Sequence, residues 1–224
     1  MTNQAKQPSF DEQLQVLRGR IDALDDKLIA LIKERTGIIG EVAVLKRAHT
    51  PNDCHIRPAR EGQMHKRIFE AFKGSDFNMH AAVIIWRHLI SASTHLESPL
   101  VVTSSAPRHL GHEYFGHYVN HSDADDSDAA LREVSGKKAN IAIIPTRDAA
   151  LLEKHPTLKI FAALPVIGDT IEALAVAALN PENSGDDVSY FIDSDRHIVT
   201  VNEFSKELPD AVWLGAHPAQ LHKD

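Results

Sequence analysis

Apolar residues recur along the first fifty positions at helical spacing: Leu14, Leu17, Ile21, Leu24, Leu28 and Leu31, then Ile38, Val42 and Leu45. The steps alternate between three and four, as in a heptad seam sustained over about four and a half heptads. Ser9 stands three residues before Glu12, the pattern of a capping box, so the spacing predicts a helix from 9 to about 47. At 1.5 Å per residue such a helix is about 57 Å long, more than a domain of under about a hundred residues can cover by itself. A homodimer that buries the stripe between two copies of the chain is the economical expectation. Arg35 interrupts the stripe, placing a permanent cation where the seam calls for an apolar side chain.

The polar stretch 48–56, AHTPNDCHI, reads as a loop. Pro58 suits the first turn of a second helix, in which Met64, Ile68 and Phe72 follow at intervals of four until Gly74. Ser75 is a candidate cap for a third helix, whose stripe runs Phe77, Ala81, Ile84, Ile85, Leu89, Ala92 and Leu96 up to Pro99. Past Pro99 the pattern shortens. The apolar or β-branched runs 100–105, 140–145, 159–167, 172–179 and 197–203 read as strands, with candidate helices near 107–118, 127–135 and 147–154 between them. HSDADDSDAA (121–130) reads as a solvated acidic loop. The expected architecture is α + α/β: a three-helix all-α domain at 1–97 and a small α/β domain at 98–224.

Charge follows the same division. Residues 1–97 carry a net charge of +2 and residues 98–224 a net charge of −9, within a total of −7. Neither half shows the dense cationic surface that binds a phosphate backbone, which argues against a nucleic-acid partner and leaves room for a small anion in the first half. No apolar run approaches the length of a membrane span, and MTNQAKQPSF lacks the apolar core of a signal peptide, so a cytoplasmic location is expected. The single Cys54 excludes an intrachain disulfide, and its loop context is not that of a catalytic thiol. Among fourteen histidines, His109 and His112 lie three apart and His117 and His121 four apart, but no cysteine or carboxylate set completes a metal site, and neither a metal nor a cofactor is expected.

On one helix Arg35 and Lys46 fall within about 20° of the same face, about 16 Å apart along the axis, and could bracket one small polyanion. Arg18 lies about 100° away and about 26 Å distant, so it reaches that region only from a second chain whose helix runs antiparallel. The alternative is that Arg18 and Lys46 are solvated charges and Arg35 snorkels out of the seam.

The runs LRGRIDALDDKLIALIKERTGIIGEVAVLK, IRPARE and IWRHLISASTHLE, in that order, resemble the all-helical class of chorismate mutase, an intertwined dimer of three-helix chains, over about residues 10–97. The resemblance implies that Arg35 and the partner's Arg18 bind the two carboxylates of chorismate, and that Lys46 contacts its ether oxygen. It places Arg60 and Glu61 at the start of the second helix, with Glu61 meeting the ring hydroxyl. Ser93 then contacts a carboxylate, and Glu97 approaches the ether oxygen from the side opposite Lys46. Such a set suits a unimolecular pericyclic step, which needs a folded dianion and stabilised charge on the breaking C–O bond rather than a nucleophile or metal. Arginine forks suit carboxylates and lysine suits a developing oxyanion.

Two positions depart from the family. Glu97 stands where many relatives have glutamine, and the expectation is that it works as the neutral acid, donating to the ether oxygen. Arg57 stands where many have an aspartate, which leaves hydroxyl recognition to Glu61 and makes Arg57 either a further carboxylate contact or a bystander. The helical domain ahead of an α/β region also resembles bifunctional chorismate mutase and prephenate dehydratase proteins. After Pro145, however, comes Thr-Arg-Asp in place of the dehydratase Ile-Glu-Asn-Ser, so the second domain resembles a reduced dehydratase remnant. The leading expectation is a metal-free, homodimeric chorismate mutase acting in phenylalanine and tyrosine biosynthesis. Competing with it are an isochorismate pyruvate-lyase on the same helices and a non-catalytic regulatory protein with a mutase-like domain.

Overall fold

The computed structural model describes residues 9–49 and 56–222; Cys54 and most of the expected 48–56 loop lie outside them. The first helix, α1, spans Phe10–His49. The capping box forms: the Ser9 amide donates to Glu12 Oε2 at 2.7 Å, and the Glu12 amide donates to Ser9 Oγ at 3.3 Å. Those bonds hold the Glu12 carboxyl below its ordinary range. Ala43 is the buried residue of this forty-residue helix, while Leu17, Ile21, Leu24, Leu28 and Leu31 are each 50–60% exposed. The heptad seam is present, and a single chain leaves it uncovered.

Helix α2 runs Pro58–Phe72, with proline in its first turn and Gly74 just beyond it at φ +75°. Helix α3 is Met79–Glu97, and its cap is Asn78 rather than Ser75: Asn78 Oδ1 accepts from the Ala81 amide at 3.1 Å. Ser75 instead turns its hydroxyl to the Phe77 carbonyl, so Phe77 precedes the helix. Ile68 and Phe69 of α2 pack on Ala82 and Val83 of α3, with Met64, Phe72 and Trp86 at the margin.

The remainder is an eight-stranded mixed sheet in the order β2-β1-β3-β5-β4-β8-β6-β7. Its strands are β1 (Val101–Ser104), β2 (Asn120–Asp123), β3 (Ile141–Pro145), β4 (Lys159–Leu164), β5 (Ala173–Ala177), β6 (Asp187–Asp193), β7 (Ile198–Val201) and β8 (Ala211–Pro218). Helix α4 (Arg108–Phe115) covers one face through Leu110, Tyr114 and Phe115. Helix α5 (Ser127–Ser135) and a 3-10 helix (Thr146–Lys154) cover the other through Leu131, Val134 and Leu152. The acidic stretch 121–130 is therefore not a loop: it contributes most of edge strand β2, paired parallel with β1, and then Asp126, which caps α5 through the Ala129 amide.

Two close approaches hold β8 against its neighbours. At Gly215, with φ +139°, an added Cβ would lie 2.3 Å from the Ile160 amide, so β8 can pair with β4 there only as glycine. At Gly62 it would lie 2.3 Å from Pro218 Cγ, because α2 rests directly on the end of β8. The change from helix to sheet falls between Glu97 and Val101, yet both α2 and α3 lean on the α/β layer.

Candidate active site

The site forms where α1 crosses α3. Arg35 is half-buried, and its Nη1 donates to Ser93 Oγ at 2.5 Å and to the Leu89 carbonyl at 3.3 Å. Ser93 Oγ also donates to Leu89 O at 2.6 Å, so its lone pairs face the guanidinium. Burial lowers the Arg35 pKa from its ordinary value, and the nearby charge of Arg60 adds to the effect. Arg60 thus belongs to the same electrostatic neighbourhood, reached from the first turn of α2.

Further along α1, the Lys46 ammonium donates to Glu97 Oε2 in an ion pair whose side chains are 26% and 11% exposed. Arg35 and Lys46 are separated by about 16 Å of helix, whereas Ser93 and Glu97 are one turn, about 6 Å, apart. The two long side chains therefore lean toward each other as they cross to α3, and their cationic heads converge over one patch. An arrangement of guanidinium, ammonium and serine hydroxyl, half out of water, can grip a small dianion with more energy than the same groups would at a bare surface.

Not every expected residue joins them. Arg18 is exposed in the first half of α1, too far along the helix to reach Arg35 of its own chain. Arg57 is exposed at the N-cap of α2 and makes no side-chain cap bond. Glu61, expected beside the ligand, is turned inward and committed to another residue: its Oε2 accepts from Arg87 Nη1 at 2.5 Å, with side chains 2% and 7% exposed.

Arg87 is the residue that the periodicity missed. It lies on a face of α3 outside the Ile84–Leu89–Leu96 stripe, and a cation between Val83 and Ser91, both buried, was the available signal. Its guanidinium lies over the Tyr114 ring at 4.4 Å from the centroid, a cation–π contact that helps compensate its desolvation. Burial, the largest single influence, acts to lower the Arg87 pKa, but the Glu61 carboxylate together with Tyr114 and Tyr118 outweighs it and leaves the pKa above its ordinary value. Beside it, His65 is 5% exposed; burial first and the Arg87 charge second bring its pKa down to about 3.

Three of the histidines lie together. His112 packs its ring against those of His117 and His121, at centroid distances of 4.1 and 4.5 Å. Among the described residues no group of three or more His, Cys, Asp or Glu side chains is placed to hold a metal ion, and no helix is long and apolar enough to cross a membrane.

Comparison with known proteins places these features. Residues 17–98 match the family described as chorismate mutase type II. The chain is 32% identical over 158 residues to the bifunctional chorismate mutase/prephenate dehydratase of Stutzerimonas stutzeri, covering 67% of this chain and 43% of that protein. The corresponding protein of Pseudomonas aeruginosa is 30% identical over the same shares. That of Aquifex aeolicus is 25% identical over 188 residues, 79% of this chain and 51% of its own length. The chain thus spans about half the length of the curated relatives it matches. A solved structure titled as a novel type of quorum quenching acylase aligns with 55% of the chain at 10% identity and a TM-score of 0.37, too low to inform chemistry.

Proposed function

We propose that the chorismate mutase type II domain at residues 17–98 is active, and that this chain rearranges chorismate to prephenate in the cytoplasm as a homodimer of the aromatic amino acid pathway. The observation that carries the reading is the convergence of Arg35 and Lys46 on Ser93 and Glu97, on a domain of that family.

In the reaction the ether C–O bond breaks as a C–C bond forms between the enolpyruvyl methylene and the ring. No proton moves, and the work left to the protein is conformational and electrostatic. Arg35 binds one carboxylate as Ser93 holds the guanidinium in place. Lys46 stabilises negative charge on the ether oxygen, and Glu97 meets that oxygen as a neutral donor. Arg60 adds positive potential, and Arg57 stands at the rim to take a further carboxylate contact.

The second carboxylate calls for Arg18 of a second copy. The exposed seam of α1 supports the dimer, since a row of leucines and isoleucines over half exposed along a forty-residue helix is a large apolar surface for a lone chain in water. Glu61 is left in its buried pair and outside direct substrate contact. The experiment is turnover of chorismate by the purified full chain, with products separated chromatographically. Prephenate supports the reading; pyruvate release or no turnover overturns it.

A further inference from the structure

Helix α3 has two working faces. Ser93 and Glu97 look toward α1, whereas Arg87 and Ser91, four apart and on one side, look toward α4 of the α/β layer. The two faces differ by about 120°, so a rotation or slide of α3 against α4 displaces Ser93 and Glu97 directly. Four contacts fix that seam. Ser91 Oγ donates to the Phe115 carbonyl at 2.7 Å, and Tyr118 Oη donates to the His88 carbonyl at 3.0 Å. His88 Nε2 lies 3.0 Å from the Glu113 carbonyl, and Arg87 stacks on Tyr114. Arg87 also fixes α2, because its partner Glu61 directly follows Arg60 in the chain. One buried guanidinium therefore ties α3, which packs on α1, to α2, which carries Arg60.

We propose that Tyr114, acting through Arg87 and Glu61, is a positioning residue for the mutase site, and that the α/β domain serves as the rigid back wall that holds Arg60, Ser93 and Glu97 in register with Arg35 and Lys46. This role rests on the mutase reading above and extends it: the α/β domain needs no chemistry of its own to govern the rate. The ring face of Tyr114 is the essential part, since it carries the stack with Arg87, and the seam acts on groups that meet the ether oxygen. Its loss is therefore read in kcat more than in KM.

The test compares the full wild-type chain with Tyr114→Leu and Tyr114→Phe, at a temperature where circular dichroism and sedimentation show each to be folded and equally assembled. Tyr114→Leu is expected to lower kcat at least tenfold with KM within threefold, while Tyr114→Phe, which keeps the ring over Arg87, stays within threefold in both. A folded Tyr114→Leu with wild-type kcat, or a Tyr114→Phe as impaired as Tyr114→Leu, overturns the proposal. If Tyr114→Leu does not fold, the double variant Ser91→Ala, Tyr118→Phe loosens the same seam more gently; at least a fivefold loss of kcat is expected, and an unchanged kcat overturns the proposal. Hydrogen exchange at the amides of residues 93–97 is read on the same proteins and is expected to quicken in the loosened variants. Unchanged exchange overturns the positioning role whether or not the wild type turns chorismate over, whereas an inactive wild type overturns the mutase reading alone.

Discussion

Lys46 of α1 and Glu97 of α3 form an ion pair that closes one end of the site. In the free protein a carboxylate holds the ammonium in place; with substrate present, the same oxygen would lie near an ether oxygen that is gaining negative charge. A neutral side chain there removes the repulsion. The expectation is that Glu97→Gln, which cannot carry a charge, has a kcat/KM above that of the wild type at pH 8. A variant no faster than the wild type at that pH would exclude the neutral-donor role.

Arg35→Ala should lower kcat/KM by about 10²- to 10³-fold or more, as loss of a preorganised donor to a developing or fixed anion does elsewhere. Folding should survive, because Arg35 is a cation that burial already disfavours. Mixing inactive Arg18→Ala and Arg35→Ala chains and allowing exchange should recover about a quarter of wild-type activity: half the dimers are mixed, and each of those has one intact site of two. No recovery, with mixed dimers demonstrated by mass, would show that each site is built from one chain.

Glu61→Gln should destabilise the protein by about 3 kcal/mol, since it leaves the Arg87 charge buried without its counter-ion. Replacing both partners, Glu61→Leu with Arg87→Met, should cost less than the single change. Urea unfolding at pH 7 measures both, and a single change within about 0.5 kcal/mol of the wild type would show the pair to be unimportant.

His65 gives the fold a sensitivity to acid. Its folded pKa of about 3 lies below that of an unfolded histidine, so the unfolded chain binds the extra proton first. The stability that depends on neutral His65 is complete above about pH 6.5 and is lost progressively as pH falls toward about 3. By pH 5 the loss should be about 2 kcal/mol. His65→Met should remove this part of the slope between pH 7 and 5; an unchanged slope in urea titrations at the two pH values would mean that another group carries it.

The helices and the cationic heads were legible because both depend on local spacing: the three-four rhythm outlined α1, and Arg35 and Lys46 share its stripe. What escaped depends on partners distant in sequence. Strand β2 is Asn-His-Ser-Asp, with no β-branched residue, and becomes a strand through parallel pairing with β1. Strands β6 and β8 lie among polar residues and are defined by each other and by the close pass at Gly215. The inward turn of Glu61 was hidden for the same reason, since its partner is twenty-six residues away and the ring beneath that partner belongs to the α/β layer.

The contact between Gly62 and Pro218 joins positions 156 residues apart in the chain, and Lys66 to Asp186 adds a second long-range tie. During synthesis α2 leaves the ribosome well before β8, and although Ile68 and Phe69 can bury against Ala82 and Val83 of α3 at once, the face of α2 that carries Gly62 stays open to water until that strand follows.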